Sequence, residues 1–99
     1  MRITTDQAEI TKKTVDRILG TPNQVWLFGS RVDDNLHGGD IDLFVETQAN
    51  ITNRAGTICR LYGALMLSLG DRKIDILLKD ARTVEAPIFG IARREGVLL

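Results

Sequence analysis

The run Asp40-Ile41-Asp42-Leu43-Phe44-Val45-Glu46 decides the fold. Successive side chains of a strand point to opposite faces, so Ile41, Leu43 and Val45 share one face. Asp40, Asp42 and Phe44 share the other. An apolar face of this kind needs a core beneath it, which makes this run a strand of a sheet. The two aspartates stand roughly 6–7 Å apart at the backbone by strand geometry.

Upstream, Gln24-Val25-Trp26-Leu27-Phe28 is rich in β-branched and aromatic residues and reads as a buried strand. Thr21-Pro22-Asn23 before it is a turn signal. Residues 5–19 read as an amphipathic helix. Asp6 and Glu9 are spaced as a capping box, Ile10, Val15, Ile18 and Leu19 form its apolar stripe, and Gly20 stops it. Between the two strands, residues 29–39 hold three glycines and no apolar period. They form a loop, with room for one helical turn after Ser30.

Downstream, residues 50–69 predict the longest helix. Asn50 is its expected cap, and Ile51, Ala55, Ile58, Tyr62, Leu65 and Leu69 recur at steps of three and four. Gly70-Asp71 ends it. Lys73-Ile74-Asp75-Ile76-Leu77-Leu78 is a third strand, with Asp75 opposite in facing to Ile74, Ile76 and Leu78. A last helix runs from Ala86 to about Glu95, with Pro87 in its first turn. Gly96 closes it, and Val97-Leu98-Leu99 is expected to dock as a short strand. The expectation is one α/β (α+β) domain over residues 1–99, a small mixed sheet of three to four strands flanked by helices.

Composition agrees. Of the 99 residues, 43% are apolar, which suits a packed core and not disorder. Lys and Arg number 13 against 13 Asp and Glu, so a general nucleic-acid binder, with its basic excess, is not expected. No apolar run approaches the ~20 residues of a membrane span, and the first residues lack the apolar stretch of a secretory signal. Cys59 is the single cysteine, which excludes an internal disulfide. A cytoplasmic protein is the expectation. The zero balance conceals a local excess: from Asp33 to Glu46 there are five acids and no Lys or Arg.

Asp40, Asp42 and Asp75 interrupt apolar strands. If the third strand lies beside the second, three carboxylates converge on one sheet face and repel unless a cation offsets them. Hard oxygen ligands without Cys or His favour Mg²⁺ or Mn²⁺. A site of that kind suits phosphoryl or nucleotidyl transfer. Before it, Gly29 allows close backbone approach and Ser30 offers a hydroxyl and an N–H to a phosphate, with Arg31 available for a charge-assisted contact.

An isolated Asp-x-Asp is more often a solvated strand face; the Gly-Ser turn and the third acid reverse that preference. His37 lacks a partner acid at useful spacing and reads as a loop histidine. Asp33 and Asp34 are expected to shape a turn. Cys59, Tyr62 and Met66 are assigned to packing, as is Trp26, and Lys12, Lys13 and Arg17 to a solvated helix face.

Leu27-Phe28-Gly29-Ser30, nine intervening residues, Asp40-Ile41-Asp42-Leu43 and then Ile74-Asp75-Ile76 resemble the signature of the DNA polymerase beta-like nucleotidyltransferase superfamily. The Gly-Ser-Arg form, the run Gly38-Gly39-Asp40 and the short length are similar to its minimal nucleotidyltransferase family. The resemblance implies the nucleotidyltransferase fold, with Asp40, Asp42 and Asp75 as catalytic metal ligands for Mg²⁺ or Mn²⁺. Asp75 would also take the acceptor's proton. Gly29 and Ser30 match the triphosphate-binding turn, with Arg31 beside them. It implies transfer of AMP from ATP to a hydroxyl. A core this small has little surface for the acceptor, so the platform is expected from a second protein or a second copy. For this family that points to a helical HEPN-domain toxin, modified on a tyrosine, with this chain as antitoxin. The rivals are a catalytically weak nucleotide- or partner-binding subunit and a small-molecule nucleotidyltransferase.

Overall fold

The computed structural model describes residues 3–28, 41–70 and 73–99. The elements in chain order are α1 (Thr5–Leu19), β1 (Asn23–Phe28), β2 (Ile41–Thr47), α2 (Arg54–Leu69), β3 (Ile74–Lys79), α3 (Pro87–Glu95) and β4 (Val97–Leu98). The four strands form one mixed sheet in the order β3-β2-β1-β4. β1 runs antiparallel to β2 and to β4, while β2 and β3 are parallel. The fold is therefore α+β, with three helices among the described residues around a small mixed sheet, as expected from the sequence.

Strand alternation divides the sheet into two buried faces. Val25, Leu27, Ile41, Leu43, Val45, Ile74 and Leu78 join Val15 of α1 and Leu61, Leu65 and Leu69 of α2 in the larger core. On the other face, Trp26 and Phe44 meet Phe89 and Ala92 of α3. The ring of Phe44 is stacked between those of Trp26 and Phe89, with centroids 5.3 Å and 5.2 Å away. Such pairs add ~0.5–1.5 kcal/mol each beyond the area they bury. Trp26 is thus core, as the sequence suggested.

α1 begins at residue 5 as expected, but its cap and the start of α2 differ from expectation, and each difference has a cause. α1 is capped by Thr4, not Asp6. The Thr4 hydroxyl accepts from the Gln7 N–H at 3.0 Å, and the Gln7 side chain accepts from the Thr4 N–H at 2.9 Å. That start leaves Ile3 just ahead of the cap, where it is buried in the core beside Ala8. Ile3 and Ala8 occupy the positions of a hydrophobic staple, and a cap at Asp6 would forgo that placement. The face toward the core also differs: Thr11, Thr14 and Val15 are buried, while Ile10 is exposed.

α2 starts at Arg54, not at residue 50. Its cap is Asn53, whose side chain accepts from the Gly56 N–H at 3.0 Å. The Ile51 N–H instead donates to the carboxylate of Asp80 at 3.1 Å, which draws residues 50–53 away from helical geometry. Thr57, Leu61, Leu65 and Leu69 form the buried stripe, with Ile58 and Tyr62 packed beside it. Ala55, Cys59 and Met66 are exposed, so the packing role read for the last two is corrected.

The helix ends follow expectation. Gly20 closes α1 in the left-handed region at φ 67°, and its N–H donates to the Asp16 carbonyl at 2.9 Å. Pro87 opens α3, where no intrahelical N–H is needed. Gly96 turns the chain from α3 into β4. A Cβ there would collide with the Ala92 carbonyl oxygen and stand 3.0 Å from that of Leu27. The tail then pairs with β1, Trp26 opposite Leu98 and Leu27 opposite Val97. Among the described residues, no helix is long and apolar enough to cross a membrane.

Candidate functional site

One end of the sheet gathers three strand termini. β1 leaves there at Phe28, β2 enters at Ile41 and β3 enters at Ile74, because β2 is antiparallel to one neighbour and parallel to the other. The pairing brings the acids together. Asp42 is the register partner of Asp75 on β3 and of Phe28 on β1. Paired positions on neighbouring strands lie ~4.8 Å apart, and paired side chains share a face. Asp42 is half-buried and Asp75 exposed. The face is that of Phe44 and Trp26, opposite the α1–α2 core.

Two like charges about 5 Å apart repel by ~1 kcal/mol in water and more where solvent is reduced. Asp42 has a further interaction of its own, and Asp75 stands beside it at the paired position. The donors are hard oxygens, half-exposed and exposed, which suits Mg²⁺ or Mn²⁺. Among the described residues, no group of three metal-ligating side chains comes together. Asp40, which precedes Ile41 directly, lies outside the described residues, as do Gly29, Ser30, Arg31, Asp33, Asp34 and His37. Of the expected site residues, then, the structure brings Asp42 and Asp75 together.

The fifth acid of the Asp33–Glu46 run belongs elsewhere. Glu46 lies four residues along β2, paired with Gln24 and Lys79 at the far end of the same face. Both of its carboxylate oxygens accept from Arg93 of α3, at 3.1 Å and 2.8 Å. Arg93 also holds Glu85 at 2.9 Å and lies over the Phe44 ring, 5.5 Å from its centroid. The carboxylates of Glu85 and Glu46 raise the Arg93 pKa, and Arg93 in turn lowers that of Glu85. Glu46 is a seat for α3 and no part of an acidic site.

The sequence reading also passed over Asp80, which is 1% exposed. Its carboxylate accepts from the N–H groups of Ile51 and Arg82, at 3.1 Å and 3.0 Å, and from the Thr83 hydroxyl at 2.9 Å. Arg54 stands 3.4 Å away. Donation from the Ile51 N–H, with help from Thr83, Arg82 and Arg54, holds its pKa down to about 2 against the cost of burial. The role is structural: Asp80 ties the end of β3 to the start of α2. The Asp-x-x-Thr spacing, typical of side-chain-to-backbone turns, was the available signal.

Two grooves lined by described residues lie away from the acids. One of about 340 Å³ runs between α1 and β4, and one of about 200 Å³ lies at the start of α2. Neither is lined by Asp42 or Asp75. Neither a protein-family model nor a curated protein matches this chain.

Proposed function

We propose that this protein is a divalent-metal-dependent nucleotidyltransferase. The observation that carries the reading is the register of Asp42 with Asp75, two acids from separate apolar strands at one end of a mixed sheet. The ordered set Gly29-Ser30, Asp40-x-Asp42 and Asp75 supports it through its resemblance to the DNA polymerase beta-like superfamily and its minimal members.

In this reading Asp40, Asp42 and Asp75 would hold Mg²⁺ or Mn²⁺, which would supply positive charge to the phosphates. Gly29, Ser30 and Arg31 bind the triphosphate of ATP. The acceptor hydroxyl attacks the α-phosphorus, and the bond from that phosphorus to the bridging oxygen of the β-phosphate breaks. Pyrophosphate leaves with the bond's electrons, and the hydroxyl proton passes to Asp75, whose exposure leaves it open to an acceptor. By the same resemblance the acceptor is a tyrosine of a helical HEPN-domain partner, and the chain acts as its antitoxin.

The test is incubation with labelled ATP, Mg²⁺ and the product of the neighbouring gene, with mass spectrometry of both proteins. A gain of one AMP on the partner, lost in Asp42→Ala/Asp75→Ala, is the expected result. Absence of transfer, with partner binding equal for wild type and variant, overturns catalysis and leaves a binding subunit.

A further inference from the structure

The proposed reaction brings a polyphosphate to a place built from carboxylates of its own sign. A divalent ion offsets part of that repulsion, and a protein cation beside the acids would offset more. Lys73 stands immediately before β3. The Ile41 N–H donates to the Lys73 carbonyl at 2.8 Å, so the β2–β3 ladder extends to this residue. Along β3, Ile74 and Leu78 are in the α1–α2 core and Asp75 faces the other way. One more step of the same alternation carries Lys73 to the face of Asp75, at the end where Asp42 lies.

Among the described residues, three other cations are held by carboxylates. Lys12 is bound to Asp16 at 2.6 Å, Arg54 stands beside Asp80, and Arg93 holds Glu46 and Glu85. Lys73 is exposed, and none of the described carboxylates holds its ammonium group. We infer that Lys73 binds the polyphosphate of the nucleotide served by Asp42 and Asp75, an inference that rests on the function proposed above. The competing role is that of a charged guard: β3 is an edge strand, and lysine at such an edge discourages pairing with other chains.

Binding measurements separate these roles without turnover. Mn²⁺ alone is followed by its electron paramagnetic resonance signal, and ATP with Mn²⁺ by calorimetry, for wild type, Lys73→Met and Lys73→Arg. Loss of one charge-assisted contact predicts about a tenfold weaker ATP affinity in Lys73→Met, with partial recovery in Lys73→Arg. Mn²⁺ alone should bind Lys73→Met as well as wild type or better, since a nearby positive charge has been removed. Thermal melting should not change. Equal ATP affinity in wild type and Lys73→Met overturns the role of Lys73 and leaves the nucleotidyltransferase reading standing. Weakened ATP binding accompanied by weaker Mn²⁺ binding and a lower melting temperature also overturns it, as a structural effect. A wild-type protein that binds neither Mn²⁺ nor ATP overturns both.

Discussion

The two ends of one sheet face handle negative charge in opposite ways. At the far end Glu46 and Glu85 converge on a single Arg93, which is also laid across Phe44. At the near end Asp42 and Asp75 are placed side by side, one half-buried and one exposed. The same strand, β2, supplies an acid to each. The far end uses its charge internally, to seat α3 on the aromatic cluster. At the near end Asp75 is open to solvent. An acid's type and position in a strand do not distinguish these uses. What distinguishes them is their placement: Glu46 and Glu85 share Arg93, whereas Asp42 and Asp75 are register partners on neighbouring strands.

The largest expected effect is at the near end. Asp42→Asn or Asp75→Asn should reduce AMP transfer by about a thousandfold, given that metal ligands supply several kcal/mol of charge stabilisation. In Asp75→Asn the melting temperature in the absence of metal should hold steady or rise, because a like charge beside Asp42 has been removed. A clear fall in stability would show that the acids serve the fold, and the contrast between the ends would fail.

Arg93→Met reverses the signs. It leaves Glu46, 12% exposed on its side chain, without its guanidinium and removes one tie between α3 and β2, the stacking of Phe89 on Phe44 remaining. A loss of about 2 kcal/mol is expected by denaturant unfolding, below the full cost for a deeply buried pair because Arg93 is partly exposed. Transfer at the near end, measured well below the melting temperature, should be preserved.

Asp80→Asn tests a third acid, whose charge is spent on backbone N–H groups. The amide keeps one acceptor oxygen but loses the second and the ionic attraction to Arg54, at a cost of about 2 kcal/mol. Because the folded-state pKa of Asp80 lies below its ordinary value, its contribution is full above about pH 4 and is lost as pH falls toward 2. Wild type should therefore lose stability across that window more steeply than the variant, as followed by urea unfolding at each pH. The smallest effect belongs to Lys12→Met. Its pair with the half-exposed Asp16, and its contacts to Asn23 at the start of β1, are largely solvated, and the change should stay at about 1 kcal/mol or less.

Much of the fold was legible because short elements with strong periodicity leave few options. β1, β2 and β3 were read nearly to the residue, since alternating apolar residues fit one face of a sheet. Gly20, Pro87 and Gly96 marked boundaries through backbone constraints that act locally. The cap of α1 and the start of α2 were misread because several residues there can cap. Thr4 prevails over Asp6 by burying Ile3, and Asn53 prevails over Asn50 because Asp80, 29 residues away from Ile51, captures the intervening backbone. Glu46 was grouped with the site acids because nothing near it in the chain announces Arg93.

The sequence by itself determined which residues alternate, where helices must stop and that Asp42 and Asp75 interrupt apolar strands. Those are properties of a few neighbouring residues and their backbone geometry. Tertiary structure alone decided that β3 lies parallel beside β2 in the register that pairs Asp42 with Asp75. It also decided that Arg93 neutralises Glu46 and that Asp80 is buried. These are contacts between distant segments, set by how two faces of one sheet are covered, and no local pattern encodes them.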